Sequence, residues 1–138
     1  MYEFARAQEN DDERFHQVSL SLDSSLVLLC RTPRSYADDS EIAHETVRLG
    51  AVLDRIGRSS RRLLVDARQA PIDTDTRLSS SFRSQRRELR NGFIAVAVVV
   101  KTKVGRLQAT RLAGELGPDG ADPVFDDYAA ALEYLRQR

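Results

Sequence analysis

The order of its elements constrains this chain more than any single residue does. From Phe15 onward, apolar runs of strand character alternate with stretches of helical period. Two adjacent strand-like runs come first, Phe15–Asp23 and Ser25–Thr32, and a long helical stretch, Tyr36–Ile56, follows. Three strand–helix pairs complete the chain: Leu63–Asp66 with Thr76–Arg90, Phe93–Lys101 with Val104–Leu116, and Val124–Phe125 with Asp127–Gln137. The order ββαβαβαβα predicts an α/β domain. Its mixed sheet of four to five strands would be covered by about four helices, because strands separated by helices pair in parallel while a hairpin pairs antiparallel.

Local patterning supports each element. Val18, Leu20 and Leu22 point one way and Gln17, Ser19 and Ser21 the other, so the first strand has one wet face. Leu26–Cys30, Leu63–Val65 and Phe93–Val100 are apolar without alternation, which predicts strands buried on both faces. Leu63–Asp66 and Phe93–Val100 are expected as adjacent, central and parallel. Ser35 and Asp38 have the spacing of a helix cap, and Gly57 sits where a helix ends. Ile42, Leu49, Val52, Leu53 and Ile56 form that helix's apolar stripe. The helix from Thr76 buries Leu78, Phe82, Leu89 and part of Gln85. Val104, Leu107, Leu112 and Leu116 mark the next helix, and Tyr128, Ala131, Leu132 and Leu135 the last.

A length of 138 residues fits one core. Residues 1–13 are rich in acids and amides and lack an apolar period, so they read as a flexible tail before a single domain at 14–138. No apolar run approaches the ~20 residues of a membrane span, and the N-terminus lacks a signal-peptide core, so a cytoplasmic location is expected. The 21 basic and 21 acidic residues balance, which argues against a nucleic-acid partner. The single cysteine, Cys30, excludes an internal disulfide and reads as an inert thiol in an apolar strand.

No nucleophile elbow, phosphate-binding loop or dinucleotide fingerprint is present. His16 and His44 lack a second ligand at metal-binding spacing. The expectation is therefore a non-enzyme with no catalytic residue, no metal and no cofactor. Two features suit binding. The helix 76–90 carries Arg83, Arg86, Arg87 and Arg90, with Arg83, Arg87 and Arg90 toward one side. That side reads either as an anion-docking face or as a solvated face balanced by Glu88. Asp73-Thr74-Asp75-Thr76 and Ser79-Ser80-Ser81 gather acceptors and hydroxyls at the helix start. They suit an anion or a phosphorylation there, or a plain cap.

The element order, together with Arg62–Arg68, Gly92–Lys101, Val124–Asp127 and Ala131–Leu135, resembles the STAS domain, named for sulphate transporters and anti-sigma-factor antagonists. The likeness spans about Phe15 to Leu135. It is closest to the stand-alone bacterial proteins related to sporulation antagonists. It implies a regulatory or protein-interaction module docking through the helix 76–90 and its preceding loop, with another protein (a kinase, an anti-sigma-like protein or a scaffold) as partner, and allows a homodimer. Signalling members carry a phosphoacceptor in an Asp-Ser/Thr-Ser/Thr-Gly loop. The nearest counterpart here is Asp73-Thr74-Asp75-Thr76, with Thr74 as phosphoacceptor, Asp75 in place of the second hydroxyl and Thr76 in place of the glycine. The resemblance thus implies phosphoacceptor or docking roles for Asp73, Thr74, Asp75, Thr76 and Ser79. Anion or partner contacts fall to Arg77, Arg83, Arg87 and Arg90. Relatives of the same fold suggest an alternative, a domain binding a lipid or other small hydrophobic ligand in a pocket between that helix and the sheet.

Overall fold

The structure, a computed structural model, describes residues 4–6, 14–71, 78–107, 110 and 122–138. Six strands form one sheet in chain order: β1 (Phe4–Arg6), β2 (His16–Ser21), β3 (Leu26–Arg31), β4 (Arg62–Asp66), β5 (Val96–Val99) and β6 (Val124–Phe125). The first two pairings are antiparallel and the remaining three are parallel. Helix α1 (Asp39–Ile56) joins β3 to β4, and α2 (Ser79–Arg90) joins β4 to β5. Helix α3 is described over residues 103–107, and α4 (Tyr128–Arg136) closes the chain.

The five strands expected from the sequence are all present, and β4 and β5 are parallel neighbours inside the sheet. The sixth, β1, falls within the segment expected as a tail. Phe4 lies opposite Ser21 and Arg6 opposite Ser19, so β1 takes the outer side of β2. Three residues are too few to show an alternation, which is why the pattern was not visible. The rest of residues 1–13 lies outside the described residues.

The β2–β3 turn is built by Asp23. Its carboxylate accepts from the Ser21 hydroxyl at 2.7 Å and from the Ser25 amide at 3.0 Å. These bonds hold the carboxyl at about 2. Ser24 adopts a left-handed backbone, φ 63°, as such a turn requires. Helix α1 starts at Asp39, three residues after Tyr36. Asp38 accepts from the Glu41 amide at 2.9 Å, and Glu41 reaches back to the Ala37 amide at 2.6 Å, a reciprocal cap. Tyr36 is thereby left outside the helix, buried beside the sheet.

Alternation along the central strands sends neighbouring residues to opposite faces. On one face Val27, Leu29, Leu63 and Val96 pack with Leu49 and Leu53 of α1 and Leu89 of α2. On the other, Leu26, Leu64, Ala97 and Val99 pack with Ala131 and Leu135 of α4. Each fully buried leucine here contributes about 1.5–3 kcal/mol. Helix α3 departs from expectation: Val104 and Leu107 are exposed rather than buried. Leu112 and Leu116 lie outside the described residues.

Helix α2 is tied down at its C-terminal end. Arg58, beyond the end of α1, donates from Nη1 to the carbonyls of Glu88 at 2.8 Å and Asn91 at 2.9 Å. These satisfy orphan carbonyls that every helix end presents. Gly92 follows with φ 88°, a conformation that favours glycine.

Candidate ligand cavity

A cavity of about 450 Å³ lies between α2 and the sheet. Its floor is apolar: Leu29, Leu63, Val65, Val96 and Val98, on β3, β4 and β5. Its roof is α2, through Phe82, Gln85, Arg86, Leu89 and Arg90. Those five residues fall at i, i+3, i+4, i+7 and i+8, the stripe a helix turns toward its core. Three of the five are polar. A helix with only Phe82 and Leu89 to press on a five-residue apolar floor cannot fill the space beneath it, and the cavity is the consequence.

One end of the cavity carries a buried polar network. His16 Nδ1 lies 3.1 Å from Glu45 Oε2, and Arg48 Nε donates to Glu45 Oε1 at 2.7 Å. Gln85 Nε2 donates to the Tyr36 hydroxyl at 3.1 Å. Burial pushes the His16 pKa below its usual value, against the pull of Glu45. Burial alone would raise the Glu45 carboxyl, but hydrogen bonds from His16 and Arg48 outweigh it and hold the group at about 2. A carboxylate only accepts, so neutral His16 carries its proton on Nδ1 toward Glu45. Burial also raises the Tyr36 hydroxyl to about 12, so it stays protonated.

Three guanidiniums reach the cavity. Arg31 donates to the carbonyls of Thr32 at 2.7 Å and Phe15 at 3.2 Å, and its guanidinium lies 4.8 Å from the Tyr36 ring centre. Arg90 forms a fork with Asp122, Nε to Oδ2 at 2.8 Å and Nη2 to Oδ1 at 2.7 Å. Arg86 differs: its Nη2 is buried and has no hydrogen-bond partner. Burial lowers its pKa, partly offset by nearby Asp122.

The residues singled out in the sequence are only partly brought here. Asp73, Thr74, Asp75, Thr76 and Arg77 lie outside the described residues, as does the side chain of Ser79. Helix α2 is described from Ser79, and Leu78 at its N-cap makes no side-chain cap. The Ser81 hydroxyl instead donates to Asp39 of α1. Arg83, Arg87 and Arg90 do not share one surface. Arg87 is exposed and Arg83 half-buried, whereas Arg90 turns to the cavity and pairs with Asp122. Arg90 sits three residues from Arg87 and four from Arg86, so helical spacing allows it to join either side. Asp122, far away in sequence, decides. His44 is exposed, and Cys30 is half-buried with its thiol pKa pushed up by burial.

His16, Tyr36, Arg86 and Asp122 were not read as site residues. The available signal was the polar content of the core-facing stripe of α2. Among the described residues, no three His, Cys, Asp or Glu side chains gather as a metal site. What the arrangement supplies is an apolar floor, a set of fixed donors and a surplus of positive charge.

No protein-family model matches the chain, and neither does any curated protein. Among solved structures, the chain is similar to an uncharacterized protein of the DUF3478 family with a SpoIIAA-like fold, from Shewanella loihica PV-4. The two are 16% identical, with a TM-score of 0.55 over 98% of this chain and 95% of that one. The fold is SpoIIAA-like. That agrees with the STAS-like architecture expected from the element order. Among the described residues, no helix is long and apolar enough to cross a membrane.

Proposed function

We propose that this chain is a non-enzymatic binding module of the STAS-like class that takes a small, largely apolar ligand between α2 and the sheet. The observation that carries this is the cavity of about 450 Å³ with its five-residue apolar floor. That volume lies within the ~300–1,000 Å³ typical of small-molecule sites, and a few placed polar groups around an apolar floor are their usual chemistry. The test is titration with the neutral fluorophore N-phenyl-1-naphthylamine. Wild-type protein is expected to show saturable emission at one site, and Val98→Phe, which fills the floor, to lose it. Absence of saturable emission from folded wild-type protein would sink the reading.

A second reading has its own support. Arg83 and Arg87 face away from the cavity and make no ion pair among the described residues, which suits an acidic partner surface on α2. In this reading the helix and its preceding loop dock a kinase, an anti-sigma-like protein or a scaffold, with Thr74 as phosphoacceptor. Arg83→Glu with Arg87→Glu leaves the cavity lining untouched. It should abolish capture of a verified partner, and undiminished capture would remove this reading alone.

A further inference from the structure

We propose that the ligand is a single-chain amphiphile whose anionic oxygen head group is held by Arg86 while its alkyl chain lies along the floor of the cavity. This rests on the cavity reading above and adds the head group to it. Arg86 is the outlier among the cations of the site. Arg31 is occupied by two backbone carbonyls and Arg90 by both oxygens of Asp122. Arg86 Nη2 is shut off from solvent and bonds to nothing. A buried donor left unmade costs about 1–3 kcal/mol, and more on a charged group. Such a group calls for an explanation, and at Arg86, which lines the cavity, a ligand that completes it supplies one.

Asp122 is near enough to oppose the lowering of the Arg86 pKa, but its oxygens bond to Arg90 and none bonds to Arg86 Nη2. Among the described lining residues, three guanidiniums face one carboxylate, so the cavity favours an anion. A guanidinium presents parallel donors that match the two oxygens of a carboxylate or phosphate, which an alcohol cannot use. Beside Arg86 the floor offers only Leu29, Leu63, Val65, Val96 and Val98, which bind nothing but hydrocarbon. A volume of about 450 Å³, toward the small end of ligand sites, suits one short chain.

The test is calorimetric titration of the full chain at pH 7 with octanoate, octyl phosphate and octanol, which share one chain and differ in head group. At least one anion is expected to bind ten-fold or more tighter than octanol, and the tighter of the two identifies the head group. Arg86→Met should bring both anions down to the octanol affinity and leave octanol unchanged. If that variant does not fold, Arg86→Gln replaces it. Equal affinity for all three probes, or an anion preference that survives the loss of Arg86, overturns the proposal while leaving the cavity reading in place. No binding of any probe overturns both.

Discussion

The two faces of this sheet are covered by helices of opposite character. On the α4 face, Ala131 and Leu135 close directly onto Leu26, Leu64, Ala97 and Val99, all of them fully buried. On the α2 face, Gln85, Arg86 and Arg90 occupy core-facing positions, and a cavity remains. The strands do not make this difference: β4 sends Leu63 and Val65 toward α2 and Arg62, Leu64 and Asp66 the other way, so the strand surface under α2 is no less apolar. The covering helix decides whether a sheet face is closed into core or left with a cavity. Interiors are otherwise packed at crystal-like density, so the void beside the polar stripe of α2 is what sets the two faces apart.

Four measurements would break or sharpen that contrast. The largest effect is expected on the closed face. Leu64→Ala should destabilise by about 2–5 kcal/mol in urea unfolding, because it opens a void among packed neighbours. Leu63→Ala, one residue along on the open face, should fall at about the lower end of that range, since water or ligand can enter the space it leaves. Equal losses would mean that the two faces are packed alike.

Acid should act through the open face. His16 has a folded pKa below its free value of 6.5, so the unfolded chain takes up that proton first and stability falls as pH drops below about 6.5. Glu45 is held at about 2 against a free value of 4.5, so its contribution is present above 4.5 and lost as pH falls toward 2. The melting midpoint should therefore decline in two steps on acidification. His16→Asn with Glu45→Gln should remove the upper step and shrink the lower one, to which Asp23, also held at about 2, still contributes, whereas Leu64→Ala should lower the whole curve without changing its shape. A two-step decline that persists in the double variant would place the titration elsewhere.

Adding volume should separate the faces in the opposite sense. Ala97→Leu crowds the α4 face and should cost about 1–3 kcal/mol. Val98→Leu on the adjacent residue projects into the cavity and should be close to neutral. A Val98→Leu midpoint depressed as far as that of Ala97→Leu would show that the cavity is closed to new side chains.

The smallest effect concerns the helix starts. Asp127 accepts from the Ala129 amide at 3.0 Å and caps α4, whereas α2 starts without a side-chain cap. Asp127→Ala should cost about 1 kcal/mol, read as a small drop in the urea midpoint. No change would mean that α4 is held by its apolar face alone.

Element type and order were legible because they follow local rules. Continuous apolar runs at Leu63–Val65 and within Phe93–Val100 mark strands buried on both faces, and both proved to be internal. The stripes of α1 and α4 follow from helical period, and Gly57 does end α1. Boundaries were less legible. Tyr36 looked like a helix start, but α1 waits for the Asp38 cap; the expected start at Thr76 lies outside the described residues. Strand β1 was hidden by its three-residue length.

The candidate site was legible only in outline. The sequence pointed to the helix 76–90 and to its arginines, but not to which arginine faces what. Alternation and helical period are local, and they determined by themselves a mixed α/β sheet with helices on both faces. Arg90 meets Asp122 across 32 positions of sequence, and His16 meets Glu45 across 29. Those partners, and the volume left under α2, depend on how the elements stack. A side chain's period tells which way it points, and only the packed neighbours tell what it finds there.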